Sequence, residues 1–261
     1  MLEQPRVGSA STAVLIGVGV ATGVLAGLLG VGGGIIMVPA LVAFGFSRHR
    51  ATASSLAAVL LIALAGAIAF AAAGAVDLPT GIFLGLGGLL GSTLGAHWMN
   101  RLSGVALARI FGGVLLVAGI RMAIGGGMGE TAFDLSPLVS FGLELVVGAL
   151  TGLLSGLAGV GGGIIMIPAM VLLLGIDQHT AEGTSLVAML FTAAAGTRVN
   201  LINHHVDWRA VWILGVSGAL IAPLSAGFAQ LIPADTLGRM FGVFVIYNAF
   251  RTLWKSRAAP K

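Results

Sequence analysis

The chain has 261 residues, of which 57% are hydrophobic and only 8% charged, with a mean hydropathy of +1.07. Ordinary soluble domains carry about 25% charged residues, so this composition excludes a soluble fold and makes lipid the solvent for most of the surface. The 13 Lys and Arg residues and net charge of +4 are scattered between apolar stretches, which reads as membrane orientation and not as nucleic-acid binding.

In chain order, Arg6 precedes the first apolar run without a clear cleavage site, so the start reads as mature protein. The first apolar stretch covers about 12–46, longer than the ~20 residues of one span. It contains Gly30-Val-Gly-Gly-Gly-Ile-Ile-Met-Val-Pro39. Segments of ordinary length follow at 51–74, 80–98 and 106–124. A linker over 126–140, Gly-rich and then carrying Glu130, Asp134 and Pro137, leads to a second long stretch at 141–174. There the first motif returns as Gly159-Val-Gly-Gly-Gly-Ile-Ile-Met-Ile-Pro168, with one residue changed. Ordinary segments follow again at 180–202, 210–230 and 237–254.

One shift aligns the two halves. His49-Arg-Ala-Thr-Ala-Ser-Ser-Leu56 matches His179-Thr-Ala-Glu-Gly-Thr-Ser-Leu186, and Gly66 matches Gly196. Val76-Asp77 matches Val206-Asp207, and Arg109-Ile-Phe-Gly112 matches Arg239-Met-Phe-Gly242. The expectation is a single transmembrane domain over 1–261, with repeat 1 at 12–125, the linker at 126–140 and repeat 2 at 141–255.

Charge then decides the topology. If each long stretch crosses once, Lys and Arg divide more evenly between the two sides. If each turns back as a hairpin, the halves are inverted, and only Arg121 and Arg239 fall outside. The expected fold is therefore an all-α polytopic membrane protein of two inverted-topology repeats. Each is a Gly-broken helix or hairpin plus three transmembrane helices, about eight membrane segments in all, with both termini cytoplasmic. Trp98, Trp208, Trp212 and Trp254 lie at or near span ends, as an aromatic belt requires.

Consecutive glycines cannot hold a regular helix cheaply, and irregular backbone at membrane depth must be covered by protein or a wet cavity. A helix restarting at Ile35 or Ile164 presents unpaired N–H groups that favour an anion. Pro39 and Pro168 are expected about one turn into those helices, where a missing N–H costs little. Gly32, Gly33, Gly34, Gly161, Gly162 and Gly163 are thus candidate substrate-binding residues, with close packing the alternative. Gly19, Gly23 and Gly27, and Gly148, Gly152 and Gly156, have the four-residue spacing of helix packing.

Ser54, Ser55, Thr184 and Ser185 offer hydroxyl donors to an oxyanion, or cap helices. Arg198 and Asn200, with Thr197 and Asn203, form a polar cluster that the first half lacks. Arg198 either snorkels as an anchor or holds an anionic headgroup at the inner mouth. No ionisable residue is expected at a span centre; Glu144 and His97, near span ends, are interfacial groups or proton couplers.

The paired glycine–proline motifs, Ala181-Glu-Gly-Thr-Ser-Leu186 and His205-Val-Asp-Trp208 together resemble the TauE/SafE family of sulfite-exporter-like permeases over nearly the whole chain. In the first half Ala53-Ser54-Ser55 stands where the pattern has Gly-Thr-Ser, and Ala75 where it has a His. The resemblance implies a secondary transporter for a small anionic substrate, a sulfur oxyanion such as sulfite or an organosulfonate, in the inner (plasma) membrane. No cofactor, metal or nucleic-acid partner is expected, and a homodimer is left open. Two other readings stand beside it. One is a channel or a carrier of another small solute. The other is an intramembrane serine protease, from Gly215-Val-Ser217-Gly218, although no His follows residue 205 to serve as base.

Overall fold

The computed structural model describes the backbone of residues 10–98, 104–125, 137–158 and 161–257. Among the described residues there are ten helices and no strand. The first half holds α1 (Thr12–Leu29), α2 (Gly34–Ala43), α3 (Arg48–Ala72), α4 (Leu78–Trp98) and α5 (Gly104–Ala123). The second holds α6 (Pro137–Ala158), α7 (Gly163–Leu173), α8 (Gln178–Ile202), α9 (Trp208–Ala229) and α10 (Ala234–Arg257).

The ends have local causes. Ser11 caps α1, Ser47 caps α3, and Asp177 and Asp207 cap α8 and α9, each side chain accepting a first-turn N–H. α6 starts at Pro137, earlier than the apolar run at 141, because proline suits a first helical position. α3 and α8 have 25 residues each, roughly 37 Å, enough to cross a bilayer core of about 30 Å. α1, α3, α8 and α9 are long and apolar enough to span a membrane. α2 and α7, with 10 and 11 residues, are too short to cross alone. Leu90, Val117, Leu150, Leu220, Leu224 and Phe250 are among the large apolar side chains left exposed, as a lipid-facing surface requires. Trp208, Trp212 and Trp254 are exposed at or near helix ends, while the side chain of Trp98 lies outside the described residues.

The extensive helix pairings all cross between the halves. α4 packs on α6 as α1 packs on α9; α4 packs on α8 as α3 packs on α9; α3 pairs with α8 and α5 with α10. The glycine stripes make these approaches. Gly23 lies against the backbone of Gly218, and Gly27 against Ala222, Ser225 and Ala226. Gly148 meets the backbone of Leu84, and Gly152 that of Gly88. The side-chain surroundings of Gly156 lie outside the described residues. Small residues let backbones approach where lipid offers no hydrophobic drive.

Two glycines on α6 give an internal control. A Cβ on Gly152 would overlap Gly88, whereas one on Gly142 meets nothing within 4 Å. Gly152→Ala is expected to destabilise the protein by about 1–3 kcal/mol, and Gly142→Ala to be neutral or stabilising by up to about 1 kcal/mol. Thermal unfolding of both variants in detergent checks the difference.

Candidate functional site

The two long stretches break where the glycines predict. Gly30 ends α1 in the left-handed region at φ 63°, its N–H bonded to the Ala26 carbonyl. Gly32 and Gly33 also have positive φ, as do Gly161 and Gly162 in the second half. Gly33 and Gly162 are the N-cap positions of α2 and α7, and neither has a side-chain cap. Gly33 lies against Thr22, and Gly162 faces Thr151, so in both halves the chain returns beside the helix it has just left. Pro39 and Pro168 sit deeper than expected. The helices start at Gly34 and Gly163, so each proline lies past the first turn and frees the Ile35 or Ile164 carbonyl.

The breaks meet each other. A Cβ on Gly163 would lie 2.8 Å from the Gly30 carbonyl oxygen and 3.1 Å from Val31 Cα. The Met189 methyl occupies the space that a Cβ on Gly32 or on Gly161 would need, and Val59 Cγ1 would lie 3.4 Å and 3.5 Å from those two Cβ atoms. Met189 of α8 and Val59 of α3 occupy matching positions in the two halves. The site between the tips is thus covered by a pair of apolar side chains, one of them a flexible thioether.

Hydroxyls from α8 hold both tips. Ser185 Oγ lies 2.7 Å from the Gly30 carbonyl oxygen, to which it donates, and 2.7 Å from that of Glu182. Thr192 Oγ1 donates to the Gly161 carbonyl at 3.0 Å. Ser92 of α4 in turn donates to the Thr192 carbonyl at 3.0 Å.

Ser54 and Thr184 make a reciprocal pair of contacts. Thr184 Oγ1 accepts the Asp77 N–H at 2.8 Å, and Ser54 Oγ accepts the Asp207 N–H at 2.9 Å. Each hydroxyl pins the loop that opens a helix in the other half. Ser55 is fully buried beside Ser54. Arg198 is exposed, and Asn200 Nδ2 donates back to the Gly196 carbonyl of its own helix at 2.7 Å. Ser217 Oγ lies 2.6 Å from the Ile213 carbonyl and 3.3 Å from that of Leu214, and packs against Gly19 where α9 meets α1.

The Asp177 cap starts α8 at Gln178, so Glu182 lies in the second turn of the helix, where it is fully buried. Glu144 is buried too, its Oε1 accepting from Thr80 at 3.2 Å and Ser140 at 3.4 Å. The side chain of His97 lies outside the described residues. Sequence reasoning also passed over Met189 and Thr192. The signal was present: Glu182, Ser185, Met189, Thr192 and Gly196 recur at alternating three- and four-residue steps, one face of a helix. That face of α8 meets the tips.

Charge separates along α3. At its start His49 stacks on His205 with ring centroids 5.4 Å apart, beside Arg48 and Arg50. At its far end Phe70 meets Gly183, near Asp77 and Glu182.

A family model described as sulfite exporter TauE/SafE matches residues 2–122 and 144–261. This chain belongs to the TauE/SafE family. A protein of Xylella fastidiosa strain 9a5c is 32% identical over 95% of this chain and 97% of its own length. YunE of Bacillus subtilis is 24% identical over 81% of this chain and 88% of its own length. Both are named "probable membrane transporter protein". No solved structure matches. With its apolar helices, the chain is a multi-pass membrane transporter of this family, and it takes a small solute as substrate.

The two reciprocal contacts give a paired prediction. Thr184→Val and Ser54→Ala each leave a backbone N–H without its acceptor and should each cost about 1–2 kcal/mol. They lie near opposite ends of α3. Their effects should therefore add to within about 0.5 kcal/mol in the double variant, as measured by thermal or denaturant unfolding.

Proposed function

We propose that this TauE/SafE protein is a secondary permease for small sulfur-containing anions, sulfite or organosulfonates, working by alternating access. The observation that carries the reading is the meeting of two uncapped helix N-termini, those of α2 and α7, across the Gly30–Gly163 contact. Two N-termini bring backbone N–H groups and positive dipole ends to one place, which suits a compact oxyanion. Neither 12–43 nor 163–173 holds a titratable side chain, so attraction there comes from backbone and hydroxyls. The family description supports the sulfur chemistry.

In this reading Gly32, Gly33, Gly34, Gly161, Gly162 and Gly163 form the binding backbone, and Ser185 supplies a hydroxyl beside it. Ser55 is its counterpart in the first half. Ser54 and Thr184 keep the flanking helices in register, and Arg198 and Asn200 serve the inner mouth. The repeats over 12–125 and 141–255 have inverted topology. The exchange-symmetric pairing, α4 on α6 and α1 on α9, supports this. The basic end of α3 faces the cytoplasm under the positive-inside rule, which puts both termini there in the inner membrane.

Met189 favours a gated carrier over an open pore, because it fills the space between the tips and must withdraw before a solute enters. The test is flux into proteoliposomes across sulfite, sulfate, sulfoacetate, taurine, thiosulfate and acetate. Saturable, exchange-competent flux of a sulfur anion is expected. Met189→Trp overfills the gap and is expected to cut that flux at least about a hundredfold, about 2.7 kcal/mol, while Met189→Ala stays active. Flux of none of these anions from folded protein withdraws the substrate class; an active Met189→Trp withdraws the site.

A further inference from the structure

Glu182 has no role in the anion site just described, yet its surroundings are unusual for a carboxyl. It is fully buried. Oε1 accepts from Gln178 Nε2 at 2.7 Å, and Oε2 has no hydrogen-bond partner. Gln178 Oε1 and His179 Nδ1, in the first turn of α8, are also buried without hydrogen-bond partners. A charged carboxylate in such packing needs a cation or several donors, and a single neutral amide is a poor substitute.

The same residue is in contact with the first glycine tip. A Cβ on Gly30 would lie 2.7 Å from Glu182 Cα and 2.9 Å from Glu182 Cβ. The Ser185 hydroxyl sits between the Gly30 and Glu182 carbonyls at 2.7 Å from each. Any movement of the tip away from α8 therefore uncovers Glu182, and any hydration of Glu182 disturbs the seat of the tip.

We propose that Glu182 is the proton-binding carboxyl of this transporter, and that its protonation seats the Gly30–Gly33 tip against α8 while its ionisation releases it. The inference rests on the reading that the tips move, but not on which solute they bind. The groups around Glu182 suit a proton better than a metal ion or a fixed ion pair. From its own helix come Asp177, Gln178 and His179. From the loop between α3 and α4, held by Thr184, comes Asp77, linked through Thr80 to Glu144 on α6. α1, α2 and α7 bring no titratable side chain. The ionisable neighbours so placed are acids and one histidine; α10, which also touches α8, carries Asp235 and Arg239, the latter with its guanidinium at Gly125.

The direction follows. Below the titration of Glu182 the neutral acid tolerates the dry seat and the tip stays packed. As pH rises through it, the carboxylate draws in water and the tip loosens. One titrating group changes the loosened population by up to about tenfold per pH unit.

The chain has no cysteine, so a single introduced thiol reports on the tip without background. Val31 is fully buried next to Gly30. The full-length Val31→Cys protein in proteoliposomes is labelled with a membrane-impermeant thiol reagent from about pH 5 to about 8. Rates are normalised to an exposed Ser47→Cys control to remove the thiol's own titration. The normalised rate is expected to rise about tenfold or more with pH. In the Glu182→Gln background, which keeps shape and removes the proton site, it should stay low and flat. Glu182→Asp retains an acid and should move the midpoint. A flat profile with Glu182 present, or an unchanged rise in Glu182→Gln, overturns the proposal; the second result passes the role to His179. Neither readout needs a transported substrate, so failure here is separate from failure of the anion assignment.

Discussion

A helix that stops inside a bilayer leaves backbone groups that lipid cannot satisfy, and most of this architecture follows from where those groups find partners. The Gly30 carbonyl is met by Ser185 and the Gly161 carbonyl by Thr192, both hydroxyls of α8. α8 must therefore run through the middle of the molecule, against both tips at once. α3, its counterpart, runs beside it, and each sends a hydroxyl to the loop that begins a helix of the opposite half. The remaining helices wrap this pair by glycine-mediated approach and show lipid their Leu, Ile, Val and Phe side chains. The central elements are thus stabilised chiefly by close backbone packing and internal hydrogen bonds, since lipid-facing apolar groups gain little from burial.

The sequence made the breaks legible because glycine runs and a repeated proline have few other uses in an apolar segment. Positions such as Gly33 at φ 70° and Gly162 at φ 95° are where an L side chain would be strained. The segment boundaries were also legible, since Ser47, Asp177 and Asp207 are good caps placed just before apolar runs. What the caps do not reveal is burial: Glu182, a turn inside α8 from Asp177, is dry in the fold.

Other features were hidden for a different reason. The three- and four-residue spacing of Met189 and Thr192 marks one face of α8, but what that face meets depends on contacts between segments far apart in the chain. The contacts of Ser54 and Thr184 reach more than a hundred residues along the chain. A hydroxyl's chemistry is visible in sequence, but whether it faces a solute or a backbone amide is decided by the neighbour that tertiary packing brings.

The interlaced pairing of helices has a consequence for how such a molecule comes to exist. When α5 has left the ribosome, α1 still lacks α9, α4 lacks α6 and α8, and α3 lacks α8 and α9. The helices of the first half wait in the bilayer without these neighbours, and the Asp77 amide without its threonine acceptor, until translation delivers the rest. Assembly is a late, concerted event of the whole chain and not a sequence of finished halves. In the two-repeat reading proposed above, a chain of one repeat would find its missing helix neighbours only in a second copy of itself, and joining the copies would convert a concentration-dependent association into an intramolecular one.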